Sequence, residues 1–274
     1  MSDPTTLLDD GFSDLARGMF SVPVGAHTEY HYIPEAAPKG NWAVACFINP
    51  TSEAWHVVEQ DGAAAMAQTC ENRASHTRPT LVAGDPMWRD YTVTTRIVPD
   101  GRAGSNGIAF RYLNSRRHYF AGFDASGIRL SLIRHETAFQ QRDETILARA
   151  DCAWQAGREY VLTVEADGSA LRVTVDGLAE IAASDASLTR GRIALAADDP
   201  TTYLTVRVTA TARQARTFGV LRAKVDRELD DLRADNPKPT LWKKVSTEGF
   251  GVGRNLRFGD LTGNGTPDIL VGQM

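Results

Sequence analysis

The chain has 274 residues, 42% hydrophobic and 23% charged, an ordinary globular balance with room for one large β-domain or two smaller ones. Its formal net charge is −4 with no basic block, which argues against a nucleic-acid partner, since phosphate binding needs concentrated Lys and Arg. No apolar run approaches the roughly 20 residues of a membrane span, and the acidic, polar start MSDPTTLLDDGF does not read as a secretory signal, so the chain reads as cytoplasmic, or as extracytoplasmic if it is a trimmed mature form.

Residues 1–41 read as an irregular N-terminal extension. They hold Tyr30-His31-Tyr32, a short alternating segment that suits either an edge strand or a platform on which sugar rings stack. From Trp42 the pattern turns to β. Trp42 to Phe47 and Trp55 to Glu59 read as strands separated by the turn residues Asn49-Pro50-Thr51-Ser52. Ala63 to Ala67 has helical propensity, but its short length between turns favours a strand.

Between 88 and 211 the alternation is clearest. Tyr91, Val93, Thr95 and Ile97 alternate with Thr92, Thr94, Arg96 and Val98. Further strands are expected at 107–112, 117–123, 127–134, 159–165, 171–175, 192–196 and 203–208, several separated by turns such as Asp124-Ala-Ser-Gly127, Ala166-Asp-Gly168 and Asp176-Gly177. Many short strands at roughly 8–12-residue spacing predict an all-β sandwich or barrel. The run "WRDYTVTTRI", "NGIAFRYLNSRRHYFAGF", "WQAGREYVLTVEADGSALRVTVDG" and "TRGRIALAA" resembles the concanavalin-like jelly rolls of the LamG and keto-disaccharide-hydrolase type. That resemblance implies a jelly-roll sandwich over 42–212, with Tyr160 to Asp176 as a hairpin and Gly191 opening a core strand. It implies little about function, because such sandwiches serve as binding modules, enzymes and spacers.

After the sandwich the period changes. Phe218, Leu221, Val225, Leu229 and Leu232 recur at three and four residues, which predicts a linking amphipathic helix over 213–236 whose apolar stripe packs on the sandwich. Pro237 and Pro239 stop it.

The segment 237–274 closes the chain. Asp260, Thr262, Asn264, Thr266 and Asp268 put an oxygen-bearing side chain at every second position, with Gly263 and Gly265 allowing a tight turn. Oxygen-only ligands at this spacing suit a hard cation, Ca²⁺ above all. Val271 stands where an EF-hand would need its bidentate Glu, so the loop is of another kind. The alternative is a metal-free turn whose Asp and Asn side chains bond to backbone N–H groups. "LRFGDLTGNGTPDILVGQ" resembles an FG-GAP or VCBS-type β-propeller repeat, and with "NPKPTLWKKVSTEGFGVGRN" it is similar to the junction between sandwich and propeller in rhamnogalacturonan-lyase-like polysaccharide lyases. The family loop carries Asp where this chain has Thr262, which leaves two carboxylates and predicts weaker calcium binding. A propeller needs several four-stranded blades, and the residues after Arg254 supply at most half of one, so the partial β-repeat is expected either to dock on the sandwich or to join the propeller domain of a longer chain.

The three cysteines, Cys46, Cys70 and Cys152, match no zinc pattern and form no disulfide framework. His27, His31, His56, His76 and His135 show no metal-ligand spacing, and no nucleophile elbow, P-loop or dinucleotide fingerprint is present. A uronate lyase needs a cation to neutralise the carboxylate and a base to take the neighbouring proton. Arg111, Arg117, His118 and Tyr119 lie close together and could clasp an acidic sugar, although strand alternation sends 117 and 119 to one face and 118 to the other. Together with Tyr30 and Tyr32 they are the candidate sugar contacts. The expected function is a carbohydrate-binding or architectural module for an acidic plant-type polysaccharide of the pectin or rhamnogalacturonan class. The alternatives are a polysaccharide lyase or glycoside-processing enzyme, incomplete in this chain, and a sandwich with no glycan ligand.

Overall fold

The computed structural model describes residues 4–20, 39–45, 53–73, 78–134, 143–236, 238, 240–241 and 256–271. Tyr30, Tyr32, Cys46 and His27, His31, His76 and His135 lie outside them. The chain divides into two compact units, Met1–Lys224 and Val225–Met274.

The first unit is a sandwich of two antiparallel sheets. Its strands are β1 (Thr5–Asp10), β2 (Gly18–Met19), β3 (Trp42–Val44), β4 (Trp55–Gln60), β5 (Ala63–Gln68), β6 (Thr80–Ala83), β7 (Tyr91–Pro99), β8 (Asn106–Asn114), β9 (Arg117–Phe123), β10 (Gly127–Arg134), β11 (Glu144–Asp151), β12 (Tyr160–Asp167), β13 (Ala170–Val175), β14 (Ala179–Ser184), β15 (Arg192–Ala197) and β16 (Thr201–Ala210). One sheet has nine strands in the order β14-β13-β12-β7-β16-β5-β4-β2, with β1 also paired to β16; the other has seven, in the order β11-β10-β9-β8-β15-β6-β3. The non-sequential neighbours, β7 beside both β12 and β16 and β15 between β6 and β8, are the crossovers of a jelly-roll sandwich.

The period-2 pattern explains the layers. On β7, Tyr91, Val93 and Ile97 turn inward and meet Ala166, Val164 and Tyr160 of β12 in register. The facing sheet contributes Ile108, Phe110, Tyr119, Ala121, Phe123, Leu130 and Leu195 to the same core. Each Val, Ile, Leu or Phe of this set contributes roughly 1.5–3 kcal/mol when fully buried, which is why the inward set decides the register. Turn chemistry agrees. Asp61 and Gly62 both adopt positive φ, 50° and 81°, as the tight β4–β5 hairpin requires. Asp124 Oδ1 accepts the N–H groups of Ser126 and Gly127 at 2.9 and 3.1 Å, closing the β9–β10 turn.

The sandwich reaches further toward the N-terminus than 42–212. Thr5–Asp10, expected in an extension, forms β1 and pairs with Ala210 back to Val206 on β16. The ambiguous segment at 63 is strand β5.

The helix α1 (Ala212–Asp235) begins at a capping box: Gln214 N–H donates to Thr211 Oγ1 at 3.2 Å, and Thr211 N–H donates to Gln214 Oε1 at 2.9 Å. Of its expected apolar stripe only Phe218 is buried, while Leu229 and Leu232 are exposed. Arg222 reaches Asp85 at 3.4 Å and ties the first half of the helix to the sandwich. In the second unit, β17 (Leu256–Gly259) and β18 (Asp268–Val271) pair as an antiparallel hairpin around the expected loop, with Phe258 opposite Ile269.

Candidate functional site

The expected sugar-binding cluster on β8 and β9 separates into interior and surface groups. Arg111 sits at a bulge in β8 with φ 43° and is fully buried. Its guanidinium donates to Arg89 O at 3.1 Å and Leu188 O at 3.0 Å and reaches Asp90 Oδ1 at 3.3 Å. Its own N–H donates to the Tyr91 hydroxyl at 2.7 Å. All of this holds the bulge to two neighbouring loops. Tyr119 is likewise buried in the core, stacks on Phe110 at 5.1 Å, donates its hydroxyl to Asp185 and accepts Leu188 N–H at 3.1 Å. Burial first, and its bond to the Asp185 carboxylate second, push its phenol up to about 12, so it is held as a neutral donor and not as a base. Neither group presents its polar end to solvent, which removes the carboxylate clasp and the base that a lyase reaction would need from them. His118 turns to the opposite face from Tyr119, as alternation requires, and packs at a tilt against Tyr112, ring centres 5.3 Å apart, while Arg117 is exposed at the strand start.

The face that carries His118 is the outer surface of the seven-stranded sheet. Apolar residues make its floor: Ala109 and Phe120 on β8 and β9, Ala194 and Ala196 on β15, and Val82 on β6 form a second buried cluster with Tyr112 and Ile133. Toward β10 and β11 the face is charged. The guanidinium carbons of Arg78 and Arg129 lie 4.4 and 5.4 Å from the centre of the Phe120 ring, within the roughly 6 Å of a cation–π contact. Each arginine has carboxylate partners: Arg78 with Asp198 at 3.0 Å, and Arg129 with Glu144 at 3.1 Å and Asp124 at 4.0 Å. Burial, and the nearby Arg78 charge, hold the Arg129 guanidinium below its ordinary value against the pull of Glu144 and Asp124. Burial works against the Asp124 carboxylate too, but the N–H and hydroxyl of Ser126, with Arg149 and Arg129, hold it below the usual range.

Toward β3 and β6 the face opens into a cavity of about 320 Å³. Ala43, Ala45 and Val82 floor it, Tyr112 walls it, and Asn41 and Arg192 supply polar groups at its rim. Asn41, Tyr112 and Arg192 come from the turn before β3, from β8 and from β15, far apart in the chain. Residue spacing alone carries no signal for them.

No protein-family model matches the chain, and no curated protein matches it in sequence. Among solved structures, the sandwich is similar to a carbohydrate-binding module CBM66 from Bacillus subtilis, at 15% identity and TM-score 0.42 over 62% of this chain and 92% of that one. It is also similar to a xylan β-1,4-xylosidase from Bacillus halodurans C-125, at 13% identity and TM-score 0.44 over 66% of this chain and 40% of that one. A GH43 protein from Bacillus licheniformis aligns at 13% identity and TM-score 0.42 over 64% of this chain and 38% of that one. The chain thus spans about two fifths of the two longer proteins. The fold assignment stands on the two sheets themselves.

In the second unit the Asp260–Asp268 loop is closed by its own side chains. Asp260 Oδ1 accepts Asn264 N–H at 3.0 Å and its Oδ2 accepts Gly265 N–H at 2.8 Å. Asp268 Oδ2 accepts the N–H groups of Leu261 and Thr262 at 2.9 and 3.0 Å and the Thr262 hydroxyl at 3.1 Å. Asn264 Oδ1 accepts Thr266 N–H at 2.8 Å and the Thr266 hydroxyl. Gly263 and Gly265 take φ 73° and 80°, a conformation that side chains rarely adopt. The Gly265 N–H above all keeps the Asp260 carboxyl below its ordinary value. The donor set is all oxygen with two carboxylates, which fits a hard cation in kind. The peptide N–H groups that now hold those oxygens are its competitors. Among the described residues, no three His, Cys, Asp or Glu side chains gather as a metal-binding group.

Proposed function

We propose that the sandwich is a carbohydrate-binding module that holds an acidic polysaccharide across the outer face of its seven-stranded sheet. The observation that carries this reading is the cavity beside β3 and β6. It combines an apolar floor and the Tyr112 ring wall, which suit the C–H faces of sugars, with Asn41 for hydroxyls and the exposed Arg192 for a carboxylate. The finer assignment is to the pectin or rhamnogalacturonan class, in a polysaccharide-degrading protein of the lyase type that its C-terminal segment resembles.

The experiment is a calorimetric titration with oligogalacturonate and with a neutral galactan of equal length. Oligogalacturonate is expected to bind more tightly, and Arg192→Ala to weaken it by about tenfold, the loss of one charge-assisted contact. Absorbance from an unsaturated uronate product is expected to stay flat. No heat with either glycan would overturn the reading, and product formation would replace it with the lyase.

The C-terminal loop supports a separate proposal, that Ca²⁺ is held by Asp260 and Asp268 with Thr262, Asn264 and Thr266 as neutral donors. A bound ion would stiffen the hairpin without entering any reaction. Calcium is expected to raise the melting temperature of the second unit, and Asp260→Ala to abolish the rise. Identical melting curves in calcium and in chelator would leave the hydrogen-bonded turn as the whole account.

A further inference from the structure

We propose that the nine-stranded sheet carries a second binding site, for a single neutral sugar ring, at a fork where strand β16 changes partner. Along one edge β16 runs beside β7. Along the other it pairs first with β5, Thr201 to Tyr203 against Gln68 to Met66, and then with β1, Val206 to Ala210 against Asp10 to Thr5. Leu204 and Thr205 belong to neither pairing. The two neighbours part at this point, and β16 carries a bulge there, its register with β7 shifting between Tyr203 and Thr205. A cavity of about 250 Å³ opens in the fork, lined by Gly11 at the end of β1 and by Ala63 and Ala64 at the start of β5.

The fork is held open by specific contacts. Thr205 O accepts the hydroxyl of the buried Thr95 at 2.8 Å from the core side. Asp61, which lines the cavity, is set by the positive-φ hairpin turn at the tip of β4 and β5. Arg96 stands opposite Thr205 in register and is oriented by Glu159, which takes its Nε at 2.6 Å and an Nη at 3.0 Å. The residues that line the gap thus come from β4, β5, β7 and β16, from the β4–β5 turn and from Gly11 just past β1.

The chemistry selects the ligand. Arg96 contributes one positive charge, and Glu159 and Asp61 contribute two negative ones, the field of Asp61 also acting on Arg96. A carboxylate ligand therefore gains nothing from Arg96, which is already compensated. What remains is a set of planar hydrogen-bonding groups, the Asp61 carboxylate, the Gln60 amide and the Arg96 guanidinium, which can each bridge two adjacent hydroxyls. Leu204 and Ala63 offer apolar surface for the C–H face of the same ring. The cavity falls below the roughly 300–1,000 Å³ of drug-sized ligand sites, which limits it to about one ring. This site lies on the other sheet from the cavity beside Arg192, and its existence does not depend on that one. A polysaccharide with both acidic and neutral residues would gain avidity from engaging the two together.

The test is amide shift mapping on ¹⁵N-labelled protein titrated with D-galactose, D-xylose and D-glucose. At least one is expected to move the Gly11, Ala64 and Leu204 amides saturably, with millimolar affinity. Ala63→Arg, an exposed position whose new side chain fills the fork, is expected to weaken that response by about tenfold or more, with an unchanged melting temperature and an unchanged oligogalacturonate response at Ala45 and Ala83. Because Arg96→Ala removes a clasping group without filling the space, it checks the same loss independently. Still amides at Gly11, Ala64 and Leu204 with every sugar overturn the proposal, whatever happens at Ala45. So does a response there that survives both substitutions.

Discussion

Arg78 and Asp198 show how much one buried pair decides. Both side chains are under 10% exposed and meet at 3.0 Å, and Asp198 also accepts the Asn72 amide at 3.0 Å. Taking two charges out of water is costly, so the pair is weak evidence of stability in itself, but removing one partner strands the other. Arg78→Ala is therefore expected to cost roughly 3–5 kcal/mol in chemical denaturation, while the exposed Arg96–Glu159 pair is expected to be worth under about 1 kcal/mol by the same measurement. Gly191 is a second such position. It has φ 148°, and a Cβ there would meet the Arg111 carbonyl carbon at 2.4 Å and Tyr112 N at 2.6 Å. Its absence of a side chain is what lets β15 approach the β8 bulge, so Gly191→Ala is expected to lower the melting temperature and disturb the Arg111 anchor. The sequence resemblance already placed Gly191 at the opening of a core strand. It offered no sign that Arg111 would turn inward, because a positive φ at an arginine depends on the Tyr91 hydroxyl and the Asp90 carboxylate, some twenty residues away.

At the scale of elements, the capping box predicts that Thr211→Ala loosens the helix start by about 1 kcal/mol, read as faster amide exchange at Ala215. The strands that the sequence shows clearly are central ones. β7, β8, β9, β12, β15 and β16 have neighbours on both edges and bury one or both faces, so their side chains carry a strong pattern. β11 and β14 end their sheets, and their alternation is blunted by exposure on both faces: Ile146 is 45% exposed, and Ala179 to Ser184 buries only Ile181. Strand β1 escaped for another reason, since its six residues alternate only weakly and its partner lies some two hundred residues onward. Of the cavity floor, Ala43 and Ala45 lie in a segment that the sequence marks as a strand, whereas Val82 lies on β6, which it does not. The floor's assembly with Arg192 and Asn41 was not legible, because crossovers and not spacing bring β3, β6, β8 and β15 together.

For the molecule as a whole, charge placement sets the response to acid. Asp124, Asp185 and Glu159 all have carboxyls held below their ordinary values. For Asp185 burial opposes the shift, and the Tyr119 hydroxyl and Ser187 N–H outweigh it; for Glu159 the bond from Arg96 leads. A carboxyl that is more acidic folded than unfolded adds stability above its unfolded value, and that stability is lost as pH falls through the folded one. The melting temperature should therefore stay level down to about pH 5 and fall below about pH 4. Acid weakening should be smaller in Asp124→Asn, which has already lost its share. Among the described residues no helix is long and apolar enough to cross a membrane. Amide shift mapping with oligogalacturonate reads the proposed binding face itself. Saturable shifts are expected at Ala43, Ala45, Ala83 and Arg192, around the cavity of the seven-stranded sheet. An unchanged spectrum, or shifts confined to other surfaces, would contradict the proposal.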